Sequence, residues 1–130
     1  MIRRLDILMF ESHPHAGDDT TAALEADGHT VLHCYEDPER AFPCRGLKSL
    51  DGCPLDDHVD VGVLVQRGRN PLPTELEGGV RCAIRAGLPI VETGAGMFDP
   101  FGPWVSKRVR IGGDVAQACG DVVERPPDSL

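Results

Sequence analysis

Aromatic residues are scarce in this chain, with one Trp, one Tyr and four Phe among 130 residues. Lysine occurs twice and asparagine once, at Asn70, against eleven arginines. That bias fits a GC-rich bacterial genome more than a chemical need. Basic side chains are outnumbered, 13 against 21 acidic ones, for a net charge of −8. General binding to nucleic acid or to an anionic membrane surface needs the opposite excess, so no nucleic-acid partner is expected. Long hydrophobic runs are missing too. The longest, Ile7-Leu8-Met9-Phe10, falls far short of the ~20 residues that a membrane span needs. The first residues turn acidic at Asp6 and offer no small-residue cleavage site, so the expected location is cytoplasmic. The five cysteines, at 34, 44, 53, 82 and 119, include no pair at C-x-x-C spacing. A zinc knuckle or thioredoxin motif is thereby excluded, and reduced thiols are the expectation.

What the sequence does contain is an alternation of strand and helix signals. Its length suits one domain, expected over residues 1–124 with a loose tail at 125–130. Gly and Pro number 15 and 11, a fifth of the chain, which predicts many turns. Leu5 to Phe10 is a nearly continuous apolar run, the mark of a strand covered on both faces. Asp18-Asp19 opens a helix through Thr20 to Asp27, closed by Gly28. Thr30 to Tyr35 is rich in β-formers, and Val59 to Val65 is the clearest buried strand. Thr74 and Glu77 have capping-box spacing, followed by Leu76, Val80 and Ile84 at four-residue steps. Leu88 to Val91 and Lys107 to Ile111 predict two further strands. Asp114 caps a last helix that places Val115, Ala118, Cys119 and Val122 on one face. Cys34, Cys82 and Cys119 are expected in the core.

Such alternation implies a single three-layer, doubly wound α/β domain with a mostly parallel sheet of four or five strands. In the flavodoxin-like order 2-1-3-4-5, a ligand site lies beyond the carboxyl ends of the strands. That order gathers Glu11 to Gly17, Gln66 to Asn70 and Thr93 to Gly96.

The stretch DILMFESHP at Asp6–Pro14, followed by AALEADGHTV at Ala22–Val31, resembles the start of a response-regulator receiver domain. The resemblance covers about the first 35 residues. It implies a flavodoxin-like regulatory domain and a magnesium-dependent phosphoacceptor at the strand ends. Residue by residue, Glu11 matches the first metal-binding acid, but Ser12 stands where the second belongs. Val65, or Gln66 if the alignment slips by one, occupies the place of the phosphoacceptor aspartate. Thr93 matches the hydroxyl switch residue, and no lysine-proline pair follows it. Clustered carboxylates and an acceptor are what this chemistry requires. The resemblance therefore points to a receiver-like domain that is not phosphorylated.

Other residues suggest other chemistry. His13 and His15 flank Pro14 just past the first strand, and Cys44 and Cys53 sit in the irregular Pro43–Pro54 segment. His13, His15, Cys44 and Cys53 could hold Zn or Fe, with Glu11 beside them. They could equally be solvated loop imidazoles and small packed thiols. Cys44 and Cys53 could also form a reversible redox pair, or the segment could be an ordinary Ω-loop. Arg67 and Arg69, with Gly94-Ala95-Gly96 opposite, could hold a small anionic ligand. The segment Met97 to Trp104 concentrates two Phe and the only Trp, and reads as a satellite core or a docking face. The leading expectation is a regulatory or binding domain. Its cleft residues would be Glu11, Ser12, His13, Arg67, Arg69, Thr93, Gly94 and Gly96, and its partner another protein chain or a second copy of itself. A metal or thiol-redox protein, and a small enzyme acting on an anionic metabolite, are the alternatives. No catalytic residue stands out, and any signal is expected to pass through another chain.

Overall fold

The computed structural model describes residues 4–34, 53, 55, 58–67, 75–94 and 100–124. Five strands form one parallel sheet: β1 (Asp6–Glu11), β2 (Thr30–His33), β3 (Val61–Val65), β4 (Ile90–Thr93) and β5 (Lys107–Val109). Their spatial order is β2-β1-β3-β4-β5, the flavodoxin-like arrangement. Among the described residues three α-helices cross over between strands or follow them: α1 (Asp18–Ala26), α2 (Gly78–Arg85) and α3 (Val115–Glu124). The fold is doubly wound. Among the described residues no helix is long and apolar enough to cross a membrane.

Strand pleat divides the apolar residues between two layers. Ile7 and Met9 of β1 point to the same side as Val61, Val63, Val65 and Val91. There they meet Leu24 of α1 and Ala116, Ala118 and Cys119 of α3. Leu8 and Phe10 point the other way, with Leu64 and Ile90, against Val80 and Ala83 of α2 and against Phe101. Every residue from Ile7 to Phe10 is buried, which is why β1 carries no polar alternation. Each such fully buried side chain stabilises the fold by about 1.5–3 kcal/mol.

Several boundaries differ from the sequence expectation. Helix α1 begins at Asp18, two residues early, so Asp18 and Asp19 occupy its first turn instead of capping it. The N–H of Gly17 is satisfied from a distance, by Glu11 Oε2 at 2.8 Å. Strand β4 starts at Ile90, because Pro89 has no N–H to give; its carbonyl accepts Gly62 N–H at 2.9 Å. Strand β5 stops at Val109, and Ile111 turns outward to 85% exposure. Asp114 behaves as expected, its Oδ1 accepting Gln117 N–H at 2.9 Å. Thr74, Cys44 and most of the Pro43–Pro54 segment lie outside the described residues. Gly28 ends α1 at φ +93, a conformation that glycine adopts without strain.

The cysteines separate. Cys119 is fully buried, and burial, then the charge of Asp114, pushes its thiol up to about 12. It stays protonated at neutral pH. Cys34 packs partly buried on the α2 side. Cys82 departs from the core assignment: it lies on the solvent side of α2, one position from the buried Ala83. One helical step of ~100° is enough to move a side chain out of the buried stripe. Iodoacetamide at neutral pH is expected to alkylate Cys82 readily in the native protein and to reach Cys119 only after denaturation. Equal native labelling rates, read by peptide mass mapping, would contradict this packing.

Candidate binding cleft at the strand ends

Register brings the carboxyl ends of the three central strands level. Glu11 pairs with Val65, and Val65 with Thr93. The residues that follow are cross-tied. Ser12 N–H donates to the Val65 carbonyl at 3.0 Å, and Gln66 N–H to the Thr93 carbonyl at 2.9 Å. Arg67 N–H donates to Ser12 Oγ at 2.9 Å. Ser12 Oγ also lies 2.8 Å from His13 Nδ1, so one hydroxyl links the ends of β1 and β3 to an exposed imidazole. His15 stands in the left-handed region at φ 68, uncommon for a residue with a Cβ. Its Nδ1 lies 3.0 Å from Asp18 Oδ2, so it leans on the first turn of α1.

Gly94 fixes the spacing between β3 and β4. Its φ is +82, and a Cβ there would sit 2.1 Å from the Gln66 carbonyl oxygen. No other residue type fits. Thr93 Oγ1 reaches across to the Arg110 carbonyl at 3.5 Å, joining this rim to the turn after β5.

Above these ends a cleft of about 570 Å³ runs between α1 and the start of α3. Ala16, Ala23 and Leu24 form one wall, and Ile111, Val115 and Ala116 the other, with Gln66, Arg67, Thr93 and Gly94 along the floor. Asp19, Asp27 and Asp114 also line it, so the rim is acidic around an apolar middle. Arg67 is exposed among them.

The structure sorts the expected cleft residues into two groups. Arg67, Thr93 and Gly94 line the cleft. Glu11 and Ser12 do not; both are buried and hold the loop before α1. His13 is exposed beside them. Arg69 and Gly96 lie outside the described residues. The turn Ile111-Gly112-Gly113-Asp114 contributes a wall that sequence reasoning left out, although two glycines before a helix-capping Asp mark such a turn. Of the expected metal ligands, His13 and His15 are exposed and Cys53 is half-buried, while Cys44 lies outside the described residues. Among the described residues, the one group of three candidate ligands within 4.8 Å is Asp6, His58 and Asp60. It lies at the other end of the sheet.

A magnesium ion poised for phosphoryl transfer needs several carboxylate oxygens together. Of the described residues that close β1, β3 and β4, Glu11, Val65 and Thr93, Glu11 alone carries a carboxylate, and its Oε2 already accepts the Gly17 N–H. Val65 and Gln66 bring none. This donor set does not fit the ion.

No family model matches the chain, and no curated protein matches it. Among solved structures it is similar to the N-terminal domain of a response regulator receiver protein from Methanoculleus marisnigri JR1. That alignment covers 94% of this chain and 98% of the other, at 16% identity and a TM-score of 0.47.

Proposed function

We propose that this chain is a regulatory or binding domain that acts through the strand-end cleft and the aromatic segment, without accepting a phosphoryl group. The observation that carries the reading is the cleft itself. It has apolar walls, an acidic rim and a floor of Gln66, Arg67, Thr93 and Gly94, while Glu11 at the end of β1 is buried beside it and engaged with Gly17. Such a surface suits contact with a partner protein better than covalent chemistry. Ile111 at its edge is 85% exposed, and Trp104 nearby in sequence is 54% exposed. Large apolar side chains left in water are frequent anchors of protein contacts. Among the described residues lining the cleft Arg67 carries the cationic group, where an acidic side chain of the partner, or a small anion, would be held.

Two measurements test this. Incubation with acetyl phosphate and magnesium should leave the intact mass unchanged; a phosphorylated carboxylate would overturn the non-acceptor reading. A photo-crosslinking residue placed at Ile111 should capture a defined polypeptide in cells, while the same residue at exposed Arg85 on α2 should not. Equal capture from both positions would remove the cleft from consideration.

A further inference from the structure

The end of the sheet away from the cleft carries a second cluster of chemically capable side chains. There, β1 begins at Asp6 beside the segment that leads into β3. The two chains are tied reciprocally: Asp60 N–H donates to the Asp6 carbonyl at 2.8 Å, and Asp6 N–H donates to Asp60 Oδ2 at 2.8 Å. This pairing fixes the Asp60 side chain, which is only 7% exposed. Its other oxygen, Oδ1, lies 2.8 Å from Nε2 of His58. One ligand atom from each of Asp6, His58 and Asp60 falls within 4.8 Å of the other two.

We propose that Asp6, His58 and Asp60 form a zinc site. Three features lead there. First, the Asp6 carboxylate is half-buried and makes no hydrogen bond to a described residue. Two carboxylates with oxygens within 4.8 Å of each other favour a cation between them, and His58 adds an imidazole nitrogen to the group. Second, the donors are one nitrogen and two oxygens. Imidazole favours zinc and its neighbours, whereas magnesium and calcium take oxygen ligands alone. Third, the ligands combine one fixed group with one adjustable group. Asp60 is anchored by backbone pairing, while His58 is 73% exposed on the solvent side. Around tetrahedral zinc, with bonds near 2.0–2.2 Å, neighbouring ligand atoms stand roughly 3.3 Å apart. His58 reaches that spacing by swinging outward a few tenths of an ångström, which its exposure permits.

In the bound form Nε2 coordinates the metal and Nδ1 carries the ring proton. Water completes the coordination shell, as in three-ligand zinc sites. His58 and Asp60 stand two apart in the chain, and their side chains already meet, Nε2 to Oδ1 at 2.8 Å. Asp6 is more than fifty positions away and joins them only through the sheet. Zinc would thus bind the folded state and not the unfolded one, clamping the start of β1 to the approach to β3 and raising the melting temperature.

The test is isothermal titration of the metal-free full chain with zinc chloride. One ion per chain is expected, with affinity falling on the order of 100-fold or more in His58→Ala. The double variant His13→Ala/His15→Ala should bind as the native chain does. His58 is exposed, so its variant should keep a native circular dichroism spectrum; if it does not, Asp6→Asn serves in its place. Absence of saturable zinc binding to the native chain would overturn the proposal, as would equal affinity in His58→Ala. Cobalt(II) loading supplies an independent readout. A spectrum without thiolate charge-transfer absorption supports these ligands, and a thiolate band would place the metal on cysteines instead.

Discussion

Gly94→Ala is expected to destabilise the domain by roughly 2–5 kcal/mol, summing a strained backbone and a forced displacement. Both contributions have a visible source. The backbone at Gly94 lies in the left-handed region, and the added methyl carbon would sit 2.1 Å from the Gln66 carbonyl oxygen. That oxygen belongs to main chain tied at both ends, through Gln66 N–H to the Thr93 carbonyl and through Arg67 N–H to Ser12. It cannot turn aside as a flexible side chain would. For a chain of this size the melting temperature should fall by roughly 10–20 °C. Gly28→Ala is the matched control. It shares the positive φ but has nothing within 4 Å of the new carbon, so it should cost only about 1 kcal/mol. Thermal unfolding of the two variants separates conformational strain from close approach. If both lost the same stability, the tight contact between the ends of β3 and β4 would be refuted. Gly94→Ala should also reshape the cleft floor, since Gly94, Gln66 and Arg67 line it together.

Phe10→Ala is the second large effect, expected at about 3–5 kcal/mol. The ring is fully buried on the α2 side of the sheet. It lies between two glycines. A Cβ on Gly62 of β3 would stand 3.2 Å from Phe10 Cε2, and one on Gly79 of α2 would stand 2.9 Å from Cε1. Backbone therefore approaches the ring from β3 and from α2, and backbone does not relax into a cavity as side chains do. The cost should lie toward the upper end of the range. The same geometry predicts coupling. Gly79→Ala should be destabilising alone, its Cβ meeting Cys34 Sγ at 2.7 Å as well as the ring, and partly relieved in Phe10→Leu, where the clashing ring edge is gone. A double-mutant cycle from urea denaturation should give an interaction of about 1 kcal/mol or more. Simple additivity would show that the ring and the glycine do not meet.

The central strands could be read from the chain because parallel strands covered on both faces leave continuous apolar runs, as at Ile7–Phe10 and Val61–Val65. Alternation of elements and the handedness of crossovers implied a parallel, doubly wound sheet, and the order expected of the flavodoxin-like class is the one observed. The Asp114 cap is a local signal and was equally legible. Features that depend on register were not. Glu11 looked like a free acid in a cleft, whereas the fold turns it onto Gly17 and buries it. Glu77 looked like the surface half of a capping box, yet it is fully buried and accepts Gln66 Nε2–H at 3.3 Å. Glu92 follows Val91 with nothing local to show that it is fully buried, 3.4 Å from Arg108 on the next strand. Cys82 shows the limit of periodicity, where one residue of phase decides between core and water. The cleft was half visible: its floor comes from strand ends, but one wall comes from the turn at Ile111, fixed by where β5 stops.

The outer strands carry a consequence for self-association. At one rim lies β2, four residues long, and at the other β5, three residues reading Lys-Arg-Val. A sheet rim is a row of unused N–H and carbonyl groups, the template on which a second chain can add. Here the β5 rim is short and guarded. Lys107 reaches Asp121 at 2.7 Å and Arg108 leans on Glu92, both with exposed charged heads. An incoming strand of the same sequence would find few partners and would set like charges against each other. Neighbouring copies are therefore discouraged from fusing their sheets through β5, and crowding of this domain should not by itself seed fibrous aggregates from that rim.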